Sequence, residues 1–264
     1  MPNAAARLLC VASLFAVQGV AQTDELPQWV LTLSQVKRQA KAEFTKLPNF
    51  ACVETINRYQ ARPGTDIYKP LDSMKMDVAF VDGKELVAQG RGGFQELDLE
   101  HLATGGVLGT GAFSTIVRNL FVNDNGRVTR WSEEQLDGRR TLRYVFAIPE
   151  RQAGYTLQSG GASGTVGIEG SYWVDPETKD LIRLEEFAVD IPPTLDIKEN
   201  LTSVTYGRVK IGEAQVLLPL SAETTVSNVS GWRAKNHIDF SGCREYKAES
   251  IIRFDTDVPT PQKK

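Results

Sequence analysis

Three cysteines, two histidines and a scatter of carboxylates are the side chains of this chain that could do chemistry. Cys52 lies in "KLPNFACVETINRY", Cys243 in "DFSGCREYKAESIIRF", and Cys10 in an apolar run near the start. Such a thiol has four readings: nucleophile, metal ligand, buried packing group or half of a disulfide. A nucleophilic thiol wants an electropositive, accessible pocket and a base beside it. Arg58 shares the strand face of Cys52, but neither His101 nor His237 is placed by sequence to serve as that base. A zinc site needs three or four convergent ligands. The two histidines lie far apart and outside any H-x-x-x-H or His/Cys/Asp arrangement, so neither a metal nor a cofactor is expected.

Other nucleophile and nucleotide motifs fail. There is no G-x-S-x-G elbow. "GTGAFS" at Gly109 to Ser114 superficially resembles a dinucleotide fingerprint, but it follows no strand of a βαβ unit and its last glycine is replaced by Ser. It reads as a loop that caps the next helix, with Thr110 or Ser114 near the N-terminus. Carboxylates are plentiful: Glu54, Asp77, Glu133, Glu134, Asp175, Glu185, Glu186 and Asp239. A glycosidase needs two of them across a cleft. The acids of "RLEEF" and "CREYKAES" read more simply as the wet face of a sheet. No catalytic residue is assigned.

The elements that must position these residues begin after residue 21. "MPNAAARLLCVASLFAVQGVA" carries Arg7 as its one charge, a ten-residue apolar core from Leu8 to Val17, and Gly19 and Ala21 at the −3 and −1 positions. That is the pattern of a secretory signal peptide cleaved before Gln22. Its apolar core is too short to span a bilayer. Cys10 is in the wrong context for a lipid anchor. Cleavage removes one Arg and no acid, so the formal net charge moves from −3 to −4. No basic cluster marks a nucleic-acid surface, and no later run is a membrane helix. The expected product is periplasmic or secreted, without stable membrane insertion.

Asp24 to Lys46 reads as an amphipathic helix, with Trp29, Leu33, Val36, Ala40 and Phe44 at spacings of three and four. Pro48 ends it. Strand signals then dominate: Phe50 to Tyr59, followed by hairpins at 73–90, 127–148, 166–189, 201–226 and 233–254. Short turns, Asp82-Gly83 among them, imply an antiparallel meander. An insertion at about 94–122 breaks it, with a short helix at 97–104, a glycine-rich loop at 105–111 and a helix at 112–121. "QSGGASGTVG", 158–167, reads as a mobile linker, and 257–264 as a disordered tail. The fold class is therefore α+β: one domain, 22–256, with a curled, mainly antiparallel sheet. An N-terminal helix and the helical insertion cover this half-open barrel, since a long sheet curls.

In an exported chain the two remaining cysteines have one pairing, Cys52 with Cys243. A bridge closing about 190 residues is worth roughly 5 kcal/mol on the chain-entropy model, less any strain. Two buried free thiols are the rival reading.

"LPNFACVETINRY", "RWSEEQLDGRRTLRYVFAIPE", "GIEGSYWVDPETKDLIRLEEFAVDIP", "VTYGRVKIGEAQVLLPLSAET" and "FSGCREYKAESIIRF" together resemble a family of exported acidobacterial proteins. No catalytic residues travel with that family. The hairpin "YWVDPETKDLIRLE" and the helix-plus-curled-sheet plan are similar to outer-membrane lipoprotein carrier and sorting proteins of the LolA/LolB kind. That resemblance implies a half-open barrel with helices as a lid over an apolar cavity, and a lipid or acylated protein as partner. The leading expectation is a non-enzymatic carrier of an apolar ligand, with Phe113, Ile116, Val117, Leu120 and Phe121 as lid contacts. The alternatives are a structural or protein-interaction module of the envelope with a filled core, and an unrecognised glycan hydrolase.

Overall fold

The computed structural model describes residues 26–88, 94–96 and 115–246. The signal-peptide segment, the expected 97–104 helix, the glycine loop, His101, Phe113 and the tail lie outside them. The first element among the described residues is helix α1, Gln28–Thr45, entered through Pro27. Proline suits a helix entrance, where an amide hydrogen has no partner to lose. Val36, Ala40 and Phe44 are its buried stripe.

Among the described residues twelve strands follow. The first four are β1 (Phe50–Ala61), β2 (Lys69–Val81), β3 (Lys84–Ala88) and the two-residue β4 (Gln95–Glu96). Then come a single α-turn, α2 (Thr115–Val117), and a π-turn, Arg118–Val122. β5 (Arg127–Leu136) and β6 (Arg139–Ile148) lead to the short helix α3 (Glu150–Ala153). β7 (Tyr155–Ser159), β8 (Ala162–Val174), β9 (Leu181–Val189), β10 (Glu199–Ile211), β11 (Ala214–Ser227) and β12 (Arg233–Glu245) complete the chain. The order is β4-β3-β2-β1-β12-β11-β10-β9-β8-β6-β5, with β7 paired to β8. All pairings are antiparallel, and the sheet is open, with β4 and β5 at its edges.

Turn chemistry explains the meander. Asp82-Gly83 and Asp137-Gly138 each hold two consecutive positive φ values, 51° and 82°, then 52° and 79°. That is the two-residue hairpin geometry whose twist matches the flanking strands. In the β8–β9 loop Asp175 Oδ1 accepts the amide hydrogens of Glu177 and Thr178, both at 2.7 Å.

Two expectations need correction. The expected linker at 158–167 is a β7–β8 hairpin. Gly160 and Gly161, at φ 58° and 81°, make its turn, while Leu157 and Val166 are buried. Glycine content there serves a tight turn rather than flexibility. The strand break expected between 240 and 245 is absent, since β12 runs unbroken to Glu245; the rest of the expected second limb, 247–254, lies outside the described residues. Between Ala51 and Val53 the partner advances from Arg244 to Ser241, one residue extra, so β12 bulges at Gly242 (φ 58°) and continues.

The N-terminal helix and the 115–122 segment lie on one face of the sheet. Phe44 meets Phe121 at 6.3 Å and Tyr206 at 6.4 Å, and Phe121 meets Tyr172 at 5.2 Å. At the rim, Lys37 bonds Asp124 and Gln39 bonds Asp180 and the Thr178 carbonyl. Arg208 bridges Glu43 and Asp180. The helix is thus held by apolar packing beneath and by ion pairs at its margins.

Candidate functional site

Strand periodicity decides what faces the helices. On β8, β9 and β10 the in-phase residues are Ile168, Gly170 and Tyr172; Leu184 and Glu186; and Thr202, Val204 and Tyr206. Tyr144 and Phe146 on β6 extend this face, paired with Tyr172 and Gly170. Tyr144 stacks on Tyr172 at 5.3 Å, and Phe146 lies 6.0 Å from the same ring. Gly170 is needed here: a Cβ would stand 2.1 Å from the Glu185 carbonyl oxygen and 2.9 Å from the Phe146 ring.

Ile116, Val117, Leu120 and Phe121, the described ones of the expected lid contacts, are all buried. The segment departs from the expected regular helix. The Asn123 amide donates to the Arg118 carbonyl, a five-residue spacing, at 2.8 Å. Asn119 holds the widened turn: its Nδ2 donates to the Ala153 carbonyl, and its Oδ1 accepts from Asn123 and Asn125. Side-chain competition for backbone partners is a common cause of such local deviation, and π-turns recur at functional sites.

A polar row crosses the same face. Strand register places Glu186, Thr202, Thr224, Asn236, Arg58 and Asp72 side by side on β9, β10, β11, β12, β1 and β2. Most of the row is paired. The Thr202 and Thr224 hydroxyls lie 3.2 Å apart, and Arg58 Nε donates to Asp72 Oδ1 at 2.6 Å. Glu186 is the exception. It is 6% exposed, and its Oε2 has no hydrogen-bond partner among the described residues. The hydroxyls of Tyr144, Tyr172 and Tyr206 share that condition. Burial pushes the Glu186 carboxyl up to about 8. Burial raises the Tyr206 and Tyr155 hydroxyls as well, with the nearby Glu186 a second cause for both. At neutral pH Glu186 is therefore mainly protonated, and the cluster is an uncharged set of donors and acceptors.

Reading "RLEEF" as wholly wet was wrong for one residue of the pair. Glu185 is on the outer face and Glu186 is inside. The signal was present in the alternation: Glu186 is two residues from buried Leu184, whereas Glu185 is in phase with exposed Phe187. Glu54 is also buried, pushed up to about 8 by desolvation and then by the charge of Glu85. It lies on β1, four strand spacings from β9, about 19 Å along the sheet. The two buried acids therefore do not flank one reaction point as a glycosidase pair must. The other candidate carboxylates lie elsewhere: Asp77 faces Arg244, Glu133 pairs with Arg140, Glu134 accepts from Trp173, and Asp175 caps its turn. His237 is half-buried beside Asp239. Among the described residues no three His, Cys, Asp or Glu side chains converge on a metal position.

Cys52 and Cys243 form a disulfide, with Cα atoms 4.0 Å apart. The β12 bulge brings Cys243 to Cys52, and Cys52 is part of the buried core, paired in register with Val78 of β2. Cys52 is thus neither a nucleophile nor a ligand. No helix among the described residues is long and apolar enough to cross a membrane.

No family model matches the chain, and no curated protein matches it. Among solved structures, the chain is similar to a DUF1329 family protein from Desulfovibrio piger. Identity is 15% and the TM-score 0.40, over 80% of this chain and 90% of that one. It is also similar to a LolA superfamily protein from Nitrosomonas europaea, at 13% identity and a TM-score of 0.39, over 81% of this chain and 94% of that one.

Proposed function

We propose that the protein is an exported, non-enzymatic carrier that binds an acyl chain between the 115–122 lid and the sheet. One observation carries the reading. The described part of the lid, residues 115–122, is one α-turn followed by a π-turn, a stretch that takes its stability from tertiary packing rather than from helix propensity. It stays on the sheet through four apolar side chains and the Asn119 bonds. Burying an aliphatic or aromatic side chain is worth about 1.5–3 kcal/mol, so the lid is held by roughly 6–12 kcal/mol. An acyl chain of about fourteen methylenes, at about 0.8 kcal/mol each, offers about 11 kcal/mol. Lid and ligand are closely matched competitors for one aromatic surface, which is what reversible loading requires. The disulfide supports export, because such bonds persist in oxidising compartments. A lipid or the acyl group of an acylated protein is the partner this geometry suits.

The close packing of the same four side chains favours a second reading, an envelope interaction module with a filled core. Native mass spectrometry of the protein isolated from its own envelope separates the two. The carrier reading expects adducts of lipid mass and displacement of a fluorescent fatty-acyl probe. A lipid-free protein that also ignores the probe overturns it in favour of the module.

A further inference from the structure

Resting on the carrier reading, we propose that the covered face of β8–β10 is a recognition site for an uncharged, hydrogen-bonding head group on the acyl ligand, read by Glu186 and Tyr206. Three observations converge on it. Glu186 is buried with one carboxyl oxygen unpartnered, and the Tyr206 hydroxyl is buried and unpartnered too, among the described residues. Native interiors rarely leave buried polar atoms without a partner, so such a pair suits something that can bond to it. The pair also sits on the face that the lid covers. Tyr172 touches Phe121, and Tyr206 touches Phe44.

The chemistry of the head follows from what surrounds it. Arg58 is the one buried cationic side chain among the described residues, and it lies on β1, four strands from Glu186, engaged by Asp72. Arg183, on β9 itself, projects from the opposite face, where it meets Asp137. An anionic head would therefore lose its water without a counter-charge. A cationic head would require Glu186 to ionise in the interior, which its burial opposes. A glycerol ester or similar hydroxyl-bearing head fits best. It accepts from a protonated carboxyl and a tyrosine hydroxyl, and donates to the free oxygens. A site that pairs buried groups with a ligand hydroxyl rejects the analogue lacking it, because those groups are left unpaired.

The test uses the full exported chain at pH 7 and three ligands of one chain length: tetradecanoylglycerol, tetradecanoate and tetradecylamine. Each is titrated against a bound neutral fluorescent acyl probe. The glycerol ester is expected to bind at least tenfold more tightly than either charged ligand. Glu186→Gln keeps shape, donor and acceptor and stays within about threefold, whereas Glu186→Leu and Tyr206→Phe each erase most of the preference. Thermal melts of all three variants establish that they fold. Equal or tighter binding of tetradecanoate or tetradecylamine overturns the head-group assignment while leaving the carrier reading intact. So does a preference that survives Glu186→Leu. Failure of all three ligands and the probe overturns both.

Discussion

Replacing Cys52 and Cys243 together by alanine removes the one covalent link between the first and last strands. The bridge spans a sequence separation of 191 residues. For a loop of that size the chain-entropy relation gives roughly 5 kcal/mol at 25 °C, arising in the unfolded chain rather than in any native contact. Loss of sulfur burial at fully buried Cys52 adds about 1 kcal/mol. Against a total stability of about 5–15 kcal/mol, this is a large fraction. Equilibrium urea unfolding of the oxidised protein, the reduced protein and the double alanine variant provides the assay. Reduced and double-variant proteins should both lose about 4–6 kcal/mol. Their m-values should rise, because the untied chain exposes more surface when unfolded. A loss below about 1 kcal/mol, or an unchanged m-value, would refute the claim that the bridge acts by restraining the unfolded chain.

Three further outcomes are expected. Glu54 and Glu186 have folded pKa values of about 8 against an ordinary 4.5, so both are neutral in either state at low pH and cost nothing there. Stability should fall as pH rises from about 4.5 to 8 and level off above. A Glu54→Gln/Glu186→Gln variant should flatten that fall in urea midpoints from pH 5 to 9, and an unchanged slope would contradict the assignment. Phe121→Ala removes the ring that joins Phe44 to Tyr172. It should destabilise the protein by about 3–5 kcal/mol and speed amide exchange in 115–122. Gly170→Ala forces a Cβ onto the Glu185 carbonyl. It should cost at least about 1–3 kcal/mol in denaturant unfolding, and a neutral result would mean the strands can part there.

Much of the fold is local and was therefore legible in the sequence. Asp-Gly turns dictate hairpins at 82–83 and 137–138, and the spacing of Val36, Ala40 and Phe44 dictates a helix with one buried stripe. The disulfide followed from cysteine count and compartment. Glycine misled at Gly160-Gly161, which closes a hairpin, because it serves tight turns as readily as flexible linkers. The buried acids were harder to read. Glu185 and Glu186 are adjacent and identical in type, and only their phase against Leu184 and Phe187 separates an inner from an outer position. The polar row from Glu186 to Asp72 depends on register across six strands, which no single stretch of sequence encodes.

The central claim is that an acyl chain inserts between the lid and the aromatic face of the sheet. Photo-crosslinking with an acyl probe bearing a diazirine in mid-chain, followed by peptide mapping, tests it most directly. The account predicts labels on the 116–121 lid and on Tyr172, Leu184 and Tyr206 beneath it, competed away by unlabelled ligand. Labelling absent there, or confined to exposed outer-face residues such as Phe187 and Leu201, would contradict it.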